Sequence, residues 1–259
     1  MPGQGPKQFV ALSQSDPEAR ACMGEMIARL KAILAMDGLE RFATEQTLPA
    51  AFFSEYAAAL DAYDRYIAHI IAAEPLAVTC KAGCDACCRH ELARGVTPVE
   101  ILAIYRVVRS WADIGDLYEA AGESAVAFQR LLKQKLEADP RPLGNDDPRV
   151  FAAHLDYNQL QRPCAFLDRE QGVCRVYPVR PLVCRWFYNL SPADWCVPSH
   201  PRHRDRDAVG IDPYREVNEL IRAISERLGV KTLNYLPGAF AHIAGDVMQG
   251  RPIRVVDGE

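Results

Sequence analysis

The sequence predicts a mainly α protein: a helical domain with a cysteine-rich metal-binding centre and a small β-hairpin. Three observations predict it. Phe53, Tyr56, Leu60, Tyr63, Ile67 and Ile70 recur at intervals of three and four, the period of an amphipathic helix of about six turns. Helix-start signals recur, in Ser15-Asp16-Pro17-Glu18 and Thr97-Pro98-Val99-Glu100, with a cap residue, Pro in the first turn and an acid three residues on. Strand signals are few. A composition of 49% hydrophobic and 25% charged residues is that of a folded, soluble chain able to bury a substantial core.

The first helix is expected to start with Ser15 as cap, to carry Met23, Met26, Leu30 and Ile33 as its apolar stripe, and to end at Gly38. The second is the Phe53–Ile70 segment. Thr97 and Glu100 form a capping box, followed by Ile101, Ile104, Tyr105, Val108 and Trp111 on one face. Asp212-Pro213 leads into Val217, Leu220, Ile221, Ile224 and Leu228, with Gly229 as the stop. Cys164–Asp168 and Gly172–Tyr177 read as the hairpin, which is marginal on its own, and Ile253–Val256 as a stray extended end. Residues 139–149 and 191–207 read as loops. A workable division is an N-terminal helical region over 1–75, a cysteine-cluster metal-binding region over 76–200 and a C-terminal helical region over 201–259, all three able to form one domain.

A formal net charge of −4 argues against nucleic-acid binding, which rests on clustered Lys and Arg. No apolar run reaches the length of a membrane helix, and the first residues lack a leader's apolar core, so the expected compartment is the cytoplasm, with no membrane partner. Thiols are kept reduced there. Nine cysteines in such a chain point to metal ligands or redox groups rather than to disulfides.

Eight of the nine fall in two groups: Cys80, Cys84, Cys87 and Cys88, then Cys164, Cys174, Cys184 and Cys196. On a helix, or on a tight loop at Gly83 running into a helical turn, at least three sulfurs of the first group share a face. Cys87 and Cys88 are neighbours whose side chains diverge, so they are expected to serve different centres. Eight thiolates suit two four-sulfur sites, zinc or iron–sulfur, and also a single cluster with spare thiols. Such sites need nearby cations, and Arg89, Arg175, Arg180 and Arg185 lie within a few residues of a cysteine. Buried free cysteines and a dithiol–disulfide relay are the competing readings. Cys22, on the apolar side of the first helix, reads as a core residue.

With both groups in view, the chain resembles the YkgJ-type cysteine-cluster family, described as a zinc- or iron-chelating CxxCxxCC domain. The resemblance rests on Cys80-x3-Cys84-x2-Cys87-Cys88, Pro163-Cys164-Ala-Phe-Leu, and Cys174-Arg-Val-Tyr177 followed by Arg180-Pro181-x2-Cys184-Arg185. It implies a metal-chelating centre, iron–sulfur or zinc. One branch of the family includes flagellin lysine N-methylases, which makes protein methylation a conceivable activity, although no glycine-rich loop after a strand marks a nucleotide-type site. Cys80-x3-Cys84-x2-Cys87 also has the spacing of radical S-adenosylmethionine enzymes, but Ala86 stands where those carry an aromatic, and no run of parallel strands follows.

His90 reads as a partly exposed loop residue that can also serve as a ligand or proton donor beside the cluster. His200 and His203 sit in a charged, solvated loop, and His154 can approach the second cysteine group. No catalytic residues stand out. The expectation is a metal-binding protein that holds an iron–sulfur cluster or zinc through all eight cysteines, with Arg180 and Arg185 in support, and serves redox or group-transfer chemistry on a protein or small-molecule partner. A structural zinc module of a partner-binding protein and a metal-handling protein are the alternatives. A metal joining segments so far apart is expected to contribute strongly to folding.

Overall fold

The computed structural model describes residues 8–9, 16–81, 83–143 and 147–256. Its elements are, in order, β1 (Gln8–Phe9), α1 (Pro17–Leu34), α2 (Phe42–Glu45), β2 (Thr47–Pro49), α3 (Phe52–Ala73), α4 (Ala86–His90), α5 (Pro98–Val108), α6 (Ile114–Ala138), α7 (Pro148–Gln159), β3 (Leu167–Asp168), β4 (Val173–Cys174), α8 (Val183–Trp186), β5 (Phe187–Asn189), β6 (Ala208–Gly210), α9 (Arg215–Arg227), α10 (Leu236–Ala241) and β7 (Arg254–Val256). The fold is mainly α, as the sequence predicts, with three small sheets among the described residues.

The main core is built by long helices whose apolar faces the sequence exposes directly. α1 is capped by the Asp16 carboxylate, which accepts from Glu18 N and Ala19 N at 2.9 Å each. It buries Met23, Met26, Leu30 and Ile33 against α3, whose Tyr56, Leu60, Tyr63, Ile67 and Ile70 face it or the interior. α9 closes the other flank of α1 with Val217, Leu220, Ile221 and Ile224. α5 runs through the middle and buries residues on every side, as a helix apolar all round must. The buried cluster formed this way reaches from Ala19 to Ile253. Tyr63 and Tyr105 satisfy their hydroxyls by donating to the carbonyls of Ile211 and Arg251, both at 2.7 Å.

α6, α7 and α10 form a second layer around Leu92, Ala125, Phe128, Ala153, Tyr157 and Tyr235. α6 is the longest helix among the described residues, and its buried face is Leu117, Ala121, Ser124, Ala125 and Phe128. Those positions have helical spacing, but small residues fill most of them, so the stripe carries little hydrophobic signal in the sequence. After α10 the chain widens into a π-helical turn over His242–Val247.

Several expectations are corrected. The cap of α1 is Asp16, whereas Ser15 lies outside the described residues. α1 stops at Leu34, and Gly38 adopts its left-handed conformation (φ 81°) at the start of the following 3-10 turn, Leu39–Arg41. Trp111 lies beyond the end of α5, and α9 starts at Arg215 rather than directly after Pro213. The chain end is paired, not stray: β7 runs parallel to β2, with Leu48 opposite Val255. Within 191–207 the chain makes 3-10 turns over Ala193–Cys196 and His203–Asp205, and α7 begins inside the stretch read as a loop at 139–149. The hairpin does form where expected, with Leu167 opposite Cys174.

Candidate metal centre

The first cysteine group is laid on a loop and a single helical turn. Gly83 has φ 81°, a conformation that interrupts a helix, so Cys80 and Cys84 sit on the loop while Cys87 and Cys88 sit in α4. The loop is pinned to the segment that follows α8. Thr79 N donates to Asn189 O (2.9 Å), Asn189 Nδ2 donates to Thr79 Oγ1 (2.8 Å), and Asn189 N donates to Cys80 Sγ (3.3 Å). The same asparagine holds Ser191 O through Nδ2 at 2.5 Å, directly before the turn that carries Cys196. Cys80 and Cys196 thus hang from one buried amide.

The hairpin sits on α4. Cys164 N donates to Cys88 O at 2.7 Å, and Arg89, paired with Asp85 at 2.5 Å, donates to Arg169 O at 3.3 Å. Gly172 closes the hairpin with φ 67° against Asp85, whose carboxylate would meet an added Cβ at 3.3 Å. Pairing of Leu167 with Cys174, together with the Leu167 N to Cys164 O bond (3.0 Å), draws Cys164 and Cys174 to one end of the hairpin.

Cys184 is placed by its neighbour. The Arg185 side chain is fully buried and spends its donors on Asp64, on Arg180 O (Nε, 3.0 Å) and on Pro178 O (Nη2, 2.6 Å). Glu100, the acid of the α5 capping box, is also buried. One carboxylate oxygen accepts from Thr97 N (2.7 Å) and Thr97 Oγ1 (2.8 Å), the other from Leu182 N (2.8 Å). The Cys184 turn is therefore fastened to α3 through Asp64 and to α5 through Glu100.

The thiols act on one another, and Cys87 acts on members of both sequence groups. Burial first, then the charges of Cys164, Cys87 and Cys174, push Cys184 upward. Cys164, raised to about 12 by burial, also faces Cys174 and Cys87. Cys196, likewise raised to about 12 by burial, faces Cys80, Glu91 and Cys84, while Cys80 faces Cys84 and Cys87. The Cys87 thiol is raised by a hydrogen bond at Cys88 and then by burial. Protein surrounds Cys87 and Cys184 on most sides, yet both keep exposed surface. Repulsion among crowded thiolates is relieved by a cation, and soft sulfur donors in this number suit zinc or iron. In donor chemistry the residues fit such a metal. Among the described residues, no three His, Cys, Asp or Glu side chains already stand where they could hold an ion.

Of the supporting residues, Arg180 stacks over Tyr177 at 3.9 Å and its charge draws down both Cys174 and Cys184. Arg185 draws down Cys174. Arg175 instead lies over Trp111 at 4.1 Å and pairs with Asp113 at 2.5 Å. Cys22 is buried in the α1 face, away from both groups. His90 is buried, not part of an exposed loop: it ends α4, a helix that packs on the turn at 193–196. His154 borders Leu92 and Arg94. His203 is partly buried, bonded to Trp195 O (3.0 Å) and Arg206 (2.8 Å), and His200 stacks on Trp195. Sequence reasoning missed Arg206, which pairs with Glu91 at 3.1 Å and lowers Cys196. It also missed Asn189 and Glu100 as organisers, since their partners lie 82 to 110 residues away in the chain.

A mainly helical fold in which distant segments bring cysteine thiols within electrostatic reach of one another has the features of the cysteine-cluster class of metal-binding domains. Residues 79–201, a little under half of the chain, match the CxxCxxCC family, described as a "Putative zinc- or iron-chelating domain". The match over that stretch agrees with the resemblance read from the sequence. No curated protein and no solved structure matches the chain. No helix among the described residues is long and apolar enough to cross a membrane.

Proposed function

We propose that the eight cysteines hold iron–sulfur or zinc in a centre that serves redox or group-transfer chemistry, protein methylation-like chemistry included, on a partner approaching from solvent. The observation that carries this reading is the placement of Cys87 and Cys184. Both thiols keep exposed surface, while Cys164 and Cys174 pack against the edge of the large core that α1, α3, α5 and α9 form. A purely structural zinc is normally closed off by its ligands and folds what surrounds it, whereas a working centre stays reachable. Iron–sulfur suits the reading better than zinc, because eight soft donors beside cationic Arg180 and Arg206 can tune a potential through charge and exposure.

Hydrogen exchange with and without a chelator, on protein purified without oxygen, tests the reading. Metal removal should deprotect residues 79–90 and 161–206 and leave α1, α3 and α5 protected, while the metal-loaded protein bleaches reversibly with a one-electron reductant. Loss of protection throughout the chain, with a colourless and redox-silent protein, would establish the structural zinc module instead.

A further inference from the structure

Asn189 sits on β5, an edge strand of its sheet, and its main chain faces the cysteine loop instead of another strand. β5 pairs with β6 on its inner side, where Ile211 N donates to Trp186 O at 2.7 Å and Leu190 N to Asp207 O at 2.9 Å. Successive residues of an antiparallel strand alternate sides, so the N–H and C=O of Asn189 point the other way. There the C=O accepts from Thr79 N at 2.9 Å, as it would from a neighbouring strand, but the N–H donates to the Cys80 sulfur at 3.3 Å. A sulfur atom takes the place of a backbone carbonyl.

Asn189 is only 1% exposed, so its N–H has to be satisfied inside the protein. A neutral thiol is a weak acceptor, whereas an ionised acceptor makes a hydrogen bond roughly twice as strong as a neutral one. The bond reaches full strength only when Cys80 carries charge, which is the state a metal requires of a thiolate ligand. The side chain of the same residue keeps the N–H in line. Nδ2 donates to Thr79 Oγ1 at 2.8 Å and to Ser191 O at 2.5 Å, and Thr79 Oγ1 donates to Ser191 O at 2.7 Å. Oδ1 is left buried with no partner, a state buried acceptors rarely keep. The amide is therefore placed for its donors, which tie residues 79, 189 and 191 into one knot adjoining Cys80 in the chain.

We propose that Asn189 is the positioning residue of Cys80: its main-chain N–H donates to the Cys80 sulfur as a metal-bound thiolate, and its side-chain amide, through Thr79 and Ser191, keeps that N–H aimed. The bond offsets part of the sulfur's negative charge, which eases repulsion among crowded thiolates and steadies the bound metal. The inference rests on the metal-centre reading above and deepens it.

Loading the full chain with 113Cd and recording its NMR spectra tests it. In wild type the Asn189 amide proton should move downfield on loading and show scalar coupling to 113Cd across the N–H···S bond, a signal that a merely structural role of Asn189 would not give. Cadmium affinity, measured by competition with a chromophoric chelator, should fall by about 10- to 100-fold in Asn189→Ala and in Thr79→Val, the usual cost of removing a metal ligand's support, and stay normal in Thr79→Ser, which keeps the hydroxyl. A thiolate-bound 113Cd signal without coupling at Asn189, or unchanged affinity in Asn189→Ala, would overturn the assignment. Absence of any thiolate-to-cadmium charge transfer in wild type would instead sink the metal-centre reading itself, and the assignment with it.

Discussion

Replacing Arg185 by Met removes the pin that fixes Cys184 while keeping the length of the side chain. The guanidinium has no solvent exposure and serves three carbonyls, Arg180 O at 3.0 Å, Pro178 O at 2.6 Å and Tyr177 O at 3.4 Å, together with the carboxylate of Asp64. Hydrogen bonds to a charged donor contribute about 1.5–3 kcal/mol each, and breaking a buried charged pair costs about 3–5 kcal/mol in total. Asp64 is 43% exposed on its side chain, so water can take over its share, which sets the expected loss near the lower end, about 3–4 kcal/mol. At roughly 2 °C per kcal/mol for a chain of this size, the midpoint of a thermal melt should fall by about 6–8 °C. Asp64→Asn should cost only about 1 kcal/mol, because its partner keeps its three carbonyls. Arg185→Lys should behave like the Met variant, since a single ammonium cannot span the fork. Differential scanning calorimetry of the three variants decides the matter. A shift below about 2 °C for Arg185→Met, or full rescue by Lys, would refute the idea that this side chain organises the Cys184 turn.

Glu100→Gln places an amide where three donors converge, from Thr97 and Leu182, so urea unfolding should report a loss of about 1–3 kcal/mol; an unchanged midpoint would mean the carboxylate is not what ties α5 to the cysteine segment. His154 is held neutral in the fold: burial, then Arg94, lowers it to about 4. The unfolded chain therefore binds the extra proton first, and stability is lost as pH falls from the unfolded value near 6.5 toward 4, by about 2 kcal/mol between pH 7 and pH 5. Comparing wild type with His154→Gln by denaturant unfolding at the two pH values should isolate that difference, and an identical pH slope in both proteins would contradict the assignment. Met26→Ala, in the fully buried stripe of α1, should cost about 2–5 kcal/mol without altering metal uptake, because none of the eight cysteines lies on α1; reduced metal stoichiometry in the folded variant would show otherwise.

What could be read from the sequence follows from how far each signal reaches along the chain. α3 and α5 were legible because their side chains repeat at helical spacing and Thr97 and Glu100 lie three residues apart. α6 was not, since Ala121, Ser124 and Ala125 fill a helical face without looking hydrophobic. The hairpin was visible, whereas the parallel pairing of β2 with β7 joins residues about 200 positions apart, which no local pattern encodes. The same holds at the centre. Eight thiols at tight spacings announce metal chemistry, but which thiols meet depends on where Asn189, Arg185 and Glu100 hold three distant segments. The burial of His90 is not legible locally either, since the helix it ends packs on a turn more than 100 residues further along the chain.

The central claim is that these cysteines hold a metal. Elemental analysis and an absorption spectrum of protein purified without oxygen, beside a Cys84→Ser, Cys87→Ser variant, address it most directly. The account predicts iron and sulfide with a broad band near about 400 nm in wild type, lost in the variant. Metal-free wild-type protein, folded and with all its thiols titratable, would contradict it.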